Sequence, residues 1–149
     1  MPWKWDNASR SARLERLPVV LLAEPHPDTR DLYRAYFHYH DVQTIAAATA
    51  DEVMGLALIA GQGTNIVVTS TTLVGEADGI DLVVRLRRHA RTQHTPIIVV
   101  GAQPYSEDEQ RAREAGCDHF VVKPCPPEVL LDHVLRLSRT ARASRRKPW

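Results

Sequence analysis

The sequence lacks the features of a membrane protein and of a disulfide-stabilised secreted protein. No apolar run approaches the roughly 20 residues that a helix needs to cross a bilayer. The first 18 residues contain two tryptophans and several arginines, but no apolar block of the kind that signal peptides have. The only two cysteines, Cys117 and Cys125, flank a short predicted strand and lie too far apart to bridge. We therefore expect a cytoplasmic protein with reduced thiols and no membrane partner.

Catalytic and metal-binding motifs are missing as well. There is no Gly-x-Ser-x-Gly nucleophile motif, and the glycines of residues 61–63 follow a predicted helix, whereas phosphate-binding loops follow a strand. The seven histidines show none of the close Cys/His spacing of structural zinc sites. The nearest groupings are His38 with His40, His89 with His94, and His119 with Cys117 and Cys125. The sequence therefore predicts neither an enzyme nor a metal site.

Charge is plentiful and unevenly distributed. Residues 136–149 and residues 1–18 carry net charges of +6 and +2, so the part between them must carry −7 to give the total of +1. This pattern predicts an N-terminal extension over residues 1–17, one domain over residues 18–138 and a basic tail over residues 139–149. The tail is expected to be a solubilising extension or a linker, and attraction of nucleic acid or an acidic protein surface is the alternative.

Short apolar runs alternate with helical patterns along the predicted domain. The runs cover residues 19–23, 42–46, 66–68, 97–100 and 120–122. The helical patterns cover residues 28–39, 50–59, 80–90, 107–115 and 128–139. Most of the runs lack polar alternation, which is typical of strands buried on both faces of a parallel sheet. The predicted fold is a doubly wound α/β (βα)5 fold, flavodoxin-like, with a parallel five-stranded sheet of order 2-1-3-4-5.

Helical spacing also indicates which side chains face the core. The first predicted helix carries an aromatic cluster of Tyr33, Tyr36, Phe37 and Tyr39. Leu32, Tyr36 and Tyr39 fall at helical spacing, so core packing is the expectation. Two of the four aromatic residues are expected in the core, with a partner surface as the alternative for exposed ones. Over residues 80–90 the apolar side chains are expected to face the sheet, and the arginines, Arg87 among them, to face water.

Segments at the predicted strand ends resemble the receiver domains of bacterial two-component response regulators. They are residues 22–30, 73–75, 78–82, 95–100, 112–118 and 122–124. The resemblance implies phosphoryl transfer from a histidine kinase to an aspartate at the end of strand three. That aspartate and two acids after strand one would hold Mg²⁺, whose charge neutralises the entering phosphoryl group. A Thr or Ser after strand four and a Lys after strand five would contact the phosphoryl oxygens.

Much of that site is replaced in this sequence. Glu24 matches the first acidic position, but Pro25 takes the second and Ser70 takes the position of the phosphoacceptor aspartate. Proline cannot bind a metal ion, and one remaining carboxylate is a poor ligand set for Mg²⁺. We therefore expect Mg²⁺ binding to be lost or weak and no cofactor to be required.

The residues that would contact the phosphoryl group are partly kept. Gly101 stands where the family has Thr or Ser, whereas Lys123, followed by Pro124, is retained. Phe120 matches the position of an aromatic residue that moves in or out with activation in the family. Without an acceptor aspartate, Lys123 is expected to pair with Glu24 and hold the strand ends in one state.

The resemblance and these losses together predict a pseudo-receiver in two-component or phosphorelay signalling. It is expected to work without phosphorylation, by contact with a protein partner or a second copy through the face of helix four, strand five and helix five. The alternative is a nucleic-acid-associated regulator that uses the basic tail or a missing output domain. A residual phosphoryl acceptor at Ser70 is the third hypothesis, with His26 as the only candidate base.

Overall fold

A computed structural model describes residues 17–60 and 65–146, with side chains as far as residue 141. Its five parallel strands are β1 (Val19–Ala23), β2 (Gln43–Ala47), β3 (Asn65–Ser70), β4 (Ile97–Gly101) and β5 (His119–Val122). Its helices are α1 (Pro27–Tyr39), α2 (Ala50–Ala60), α3 (Gly79–Arg88), α4 (Glu107–Ala115) and α5 (Pro127–Arg146). The strands form one sheet in the order β2-β1-β3-β4-β5, so the predicted fold is confirmed.

The predicted elements match the structure to within two residues at each end, apart from the last helix. That helix continues to Arg146 instead of ending at residue 139. The basic composition of residues 139–149 indicated a solvated tail, but residues 140–146 contain neither Gly nor Pro, and Ala and Arg favour helix. The N-terminal extension as far as residue 16 and the predicted loop at residues 61–63 lie outside the described residues.

The sheet is covered on both faces, as its apolar strands require. One buried cluster joins the sheet to α2, α3 and α4, and the other joins it to α1 and α5. Strand β4 is buried at every position, whereas the edge strand β2 has two exposed side chains. No helix in the described ranges is both long and apolar enough to cross a membrane.

Helix α3 begins directly against the end of β3. Asp78 and Asp81 form a reciprocal capping box, which satisfies the first N–H groups of the helix. A β-carbon on Gly79 would overlap the carbonyl group of Ser70, so only glycine allows this close approach. The contact fixes the position at which β3 ends.

The predicted core face of α1 is wrong for two of its three residues. Leu32 and Tyr39 are 55% and 82% exposed, whereas Tyr33 and Phe37 are buried. Tyr36 is half-buried. Both sets of residues have helical spacing, and the rotation of the helix on the sheet decides between them.

Arg87 also departs from its predicted place in water. Its guanidinium group donates to the carbonyl oxygens of Gly116 at 2.9 Å and Thr95 at 2.5 Å, and it pairs with Asp118 at 3.0 Å. Asp118 in turn accepts the backbone N–H of Ile97. The five donors of an arginine suit such a set of converging oxygens, and the residue joins the loops that precede β4 and β5.

Candidate functional site

The residues expected from the resemblance lie at one edge of the sheet. Glu24 follows β1, Ser70 ends β3, Gly101 ends β4 and Lys123 follows β5. The carboxyl ends of parallel strands meet at this edge, and β1 and β3 are neighbours whose helices leave toward opposite faces. The positions predicted from the sequence therefore come together in space.

Lys123 is the centre of the polar contacts at this edge. Its ammonium group donates to Ser70 Oγ at 3.1 Å, and Nζ lies 3.8 Å from Glu24 Oε2. The side chain of Lys123 is 37% exposed, whereas that of Glu24 is 3% exposed. The expected contact between Lys123 and Glu24 is therefore present, and it places a cation beside a buried carboxylate.

Hydrogen bonds between side chains and backbone groups hold the loop after β1 in place. The Arg30 guanidinium donates to the carbonyl oxygens of Glu24 at 2.8 Å and Pro25 at 3.2 Å. The backbone N–H of His26 donates to Glu24 Oε1 at 3.3 Å. Arginine at this position was not singled out from the sequence, because its role depends on the loop bending back over the first turn of α1.

These residues do not fit Mg²⁺. Glu24 is the single carboxylate among the positions that correspond to the family's metal ligands, and it already contacts the ammonium group of Lys123. Pro25 offers no side-chain ligand, and the Ser70 hydroxyl accepts a hydrogen bond from the same ammonium group. Mg²⁺ requires an oxygen-rich octahedral shell, which this set of side chains does not supply.

Phe120 occupies the space beside Gly101. A β-carbon on Gly101 would overlap the Phe120 ring, with the ring's Cζ atom nearest. The ring is partly buried and packs against the cluster that α2, α3 and α4 form with the sheet. Glycine at position 101 therefore leaves room for an inward aromatic ring.

Tyr33 ties α1 to the segment that follows Lys123. Its hydroxyl donates to the carbonyl oxygen of Cys125 at 2.7 Å. The peptide bond between Lys123 and Pro124, directly before Cys125, is cis. Burial, with smaller effects of Cys125 and Glu24, raises the pKa of Tyr33 from 10.0 to about 12. No pattern in the sequence indicates this contact, since its partners lie 92 residues apart.

Comparison with known proteins finds relatives at low sequence identity. The transcriptional regulatory protein SrrA of Staphylococcus aureus is 27% identical over 122 residues, which cover 81% of this chain and 48% of SrrA. The chain thus spans about half the length of that relative. A 14.6 kDa protein of Leptolyngbya boryana, encoded in the sodA1 3' region, is 29% identical over 112 residues, covering 75% of this chain and 83% of that protein.

Solved structures share the fold at low sequence identity. A CheY-like receiver domain protein of Methanospirillum hungatei superposes with a TM-score of 0.76 at 18% identity, over 86% of this chain and 98% of that one. The receiver domain of the sensor histidine kinase PA1611 of Pseudomonas aeruginosa, solved with a magnesium ion in its active site cleft, gives a TM-score of 0.73 at 18% identity, over 83% and 98%.

The family itself is shown by the sequence. Residues 20–135 match the family model described as the response regulator receiver domain, which is most of the chain. The match begins within β1 and ends within α5, so it includes every strand and the whole carboxyl edge. This chain belongs to the family of response regulator receiver domains.

Proposed function

We propose that this receiver domain of two-component signalling works without phosphorylation and acts by binding a protein partner. The observation that supports this most directly is the contact between Lys123 and Ser70 at the acceptor position. A serine hydroxyl becomes a nucleophile when a neighbouring base takes its proton. The group 3.1 Å from Ser70 Oγ is an ammonium donor held beside the Glu24 carboxylate, which is the opposite of a base.

The third hypothesis, a phosphoryl acceptor at Ser70, finds no further support in the loop. His26 is exposed, and its contact with the site runs from its backbone N–H to the Glu24 carboxylate. A phosphoryl group on Ser70 would also enter beside a buried carboxylate without a divalent ion to offset its charge. Both arguments favour a domain in which Glu24, Ser70 and Lys123 keep one arrangement at the carboxyl edge of the sheet.

The position of the Phe120 ring supports the same proposal. Its ring fills the space beside Gly101, and no side chain at that position competes with it. A two-state switch needs two arrangements of similar free energy. Glycine at position 101 favours the arrangement in which the Phe120 ring points inward. We therefore propose that the surface formed by α4, β5 and α5 is always available to a partner.

The partner face is proposed to be that of α4, β5 and α5. Helix α4 exposes both signs of charge, including the Arg111–Asp108 pair and the exposed Glu107 and Glu114. Mixed charges favour contacts specified by electrostatic complementarity over the apolar interfaces of obligate dimers. Arg113→Glu is expected to weaken partner binding or self-association, because the Arg113 side chain is 55% exposed and its ion pair with Glu109 lies within α4. Arg34→Glu on α1 should leave the binding unchanged.

The decisive experiment is an amide NMR spectrum with and without Mg²⁺ and beryllofluoride, which mimics a phosphoryl group on aspartate. We expect no saturable shifts around Glu24, Ser70 and Lys123. A phosphorylatable receiver domain measured with the same reagents is the control. Saturable shifts at those residues would overturn phosphorylation independence. A strictly monomeric protein that captures no partner from its host would overturn the interaction part.

A second candidate function, binding of nucleic acid, is favoured by two arginines at the opposite end of the sheet. Arg88 and Arg91 are exposed there, as is His94. The loop that carries His94 shares a cavity of about 560 Å³ with Leu137 and neighbouring residues of α5. The part of α5 around Thr140 and Ala141 therefore lies beside this loop. Binding that falls steeply with added salt would support this function, and indifference at low salt would exclude it.

A further inference from the structure

His119 and His133 lie side by side where β5 meets α5. Their ring centroids are 5.8 Å apart, and the ring planes are inclined by 50°. His119 is exposed on the edge strand, and His133 is half-buried on the helix. In residues 17–60 and 65–141, no hydrogen bond or ion pair engages either imidazole. The ring nitrogens of both are therefore available as ligands.

The separation of the two rings is close to that of imidazoles sharing a metal ion. With metal–nitrogen bonds of about 2.1 Å and tetrahedral angles, the centroids of two such rings lie about 5 Å apart. The observed 5.8 Å is slightly longer, and a small side-chain rotation closes the difference. The backbone already holds the two residues at the required spacing, because β5 and α5 are fixed by the core beneath them.

We propose that His119 and His133 chelate a divalent ion of the late first transition series, Ni²⁺, Cu²⁺ or Zn²⁺. Neutral imidazole is a preferred ligand of these ions, whereas Mg²⁺ prefers oxygen. No group of three or more His, Cys, Asp or Glu side chains with metal-ligand geometry occurs among the described residues. The chain thus supplies two ligands, and water completes the coordination shell.

The other histidines offer no comparable pair. The His40 ring packs against Tyr36 at a centroid distance of 4.6 Å, with the ring planes inclined by 48°. Nδ1 of His89 accepts the backbone N–H of Arg91 at 3.1 Å. Spacing in the sequence could not reveal the pair, since its members are on different elements. His119 is the first residue of β5, whereas Lys123 follows the carboxyl end of that strand. The pair lies on elements of the proposed partner face, but Ni²⁺ binding by the chain alone can be measured whether or not that face binds a partner.

Calorimetric titration of the untagged full chain with Ni²⁺ tests the proposal. We expect one Ni²⁺ per chain, and His119→Gln and His133→Gln should each weaken binding by at least the ~10-fold that loss of an outer-shell partner costs. Chelation also predicts that the double variant loses little more than either single variant, because one imidazole alone cannot chelate. His94→Gln, which removes an exposed histidine elsewhere, should bind Ni²⁺ as the unaltered chain does.

A second measurement locates the ion independently of affinity. Substoichiometric Ni²⁺ should broaden the imidazole proton signals of His119 and His133 before those of the other histidines. Equal Ni²⁺ affinity in the unaltered chain and both single variants would overturn the proposal. Equal loss in the His94→Gln control, or broadening that begins at His38 and His40, would overturn it as well.

Discussion

The ring of Phe120 lies in the space that a side chain on Gly101 would take. The two residues are neighbours across the β4–β5 pair, where Val99 is in register with Phe120 and Gly101 with Val122. In the resemblance to receiver domains, this is the pair of positions through which a hydroxyl and an aromatic ring respond to phosphorylation. In this chain Gly101 leaves room for the Phe120 ring. The effect of a substitution at either residue on the free energy of unfolding should therefore depend on the other residue.

Gly101→Ala should therefore destabilise the domain. The added β-carbon forces the Phe120 ring to move, and overpacking of this kind costs about 1–3 kcal/mol. Urea unfolding measures the change, and Gly55→Ala in α2 is the matched control, because nothing lies within 4 Å of a β-carbon there. That control should gain up to about 1 kcal/mol from helix propensity.

The cost should depend on the ring. In a Phe120→Ala background, Gly101→Ala should cost close to nothing, so the double-mutant cycle gives a coupling energy of about 1 kcal/mol or more. A cost that is the same with and without Phe120 would show that the ring does not occupy this space in solution.

Lys123→Met should destabilise the domain through Glu24. The substitution leaves a buried carboxylate without its cation, and the unsatisfied group costs about 1–3 kcal/mol, lowered by the partial exposure of the lysine. Adding Glu24→Gln should recover part of the loss, because a neutral amide is cheaper to bury. Urea unfolding of the two single variants and the double variant checks this, and purely additive losses would contradict the pairing.

Much of the fold and of the site positions could be predicted from the sequence. Strands β3 and β4 are buried on both faces. Their continuous apolar runs are therefore enough to predict a parallel sheet, without knowledge of the side chains that pack against them. Once the topology is fixed, the carboxyl ends of the strands must meet. The sequence could therefore predict that Glu24, Ser70 and Lys123 share one edge.

What could not be predicted depends on contacts between distant elements. Tyr33 and Tyr36 both lie on helical stripes of α1, and the rotation of the helix decided which was buried. Arg87 looks solvent-facing in its own helix, but its partners are carbonyl groups of two loops that follow later in the chain. The inward position of Phe120 likewise follows from a missing side chain on another strand.

Restoring the lost acids should restore magnesium binding. Pro25→Asp with Ser70→Asp would place three carboxylates at the edge, together with Glu24, which is the oxygen-rich set that Mg²⁺ needs. We expect this variant to be less stable than the unaltered chain without Mg²⁺, because like charges repel each other in a partly buried site.

Added Mg²⁺ should reverse that loss. An ion that binds the folded state alone stabilises it by about 1.4 kcal/mol at ten times its Kd. The urea midpoint of the double variant should therefore rise with Mg²⁺, whereas that of the unaltered chain and of Ser70→Asp alone should respond little. A comparable rise in the unaltered chain would contradict the conclusion that its residues do not fit Mg²⁺.

The buried hydroxyl of Tyr33 should make the stability of the domain fall at alkaline pH. Its pKa is about 12 in the folded chain and 10.0 ordinarily, so between these values the unfolded chain loses a proton that the folded chain keeps. The unfolded state is then favoured, and stability falls as pH rises from about 10 to 12, by up to about 2–3 kcal/mol. Below pH 10 this residue should contribute no pH dependence.

Urea unfolding of the unaltered chain and of Tyr33→Phe is measured at several pH values between 9 and 12. The difference between the two proteins separates this effect from the titration of lysines and other tyrosines. Tyr33→Phe should lose about 1 kcal/mol at neutral pH with its hydrogen bond to Cys125, yet show a shallower alkaline decline. Tyr105→Phe is the control, since Tyr105 is 96% exposed, and it should decline as steeply as the unaltered chain. Equal slopes in all three proteins would mean that the Tyr33 hydroxyl ionises as readily in the folded chain as in the unfolded one, which is incompatible with its burial against α5 and the loop before it.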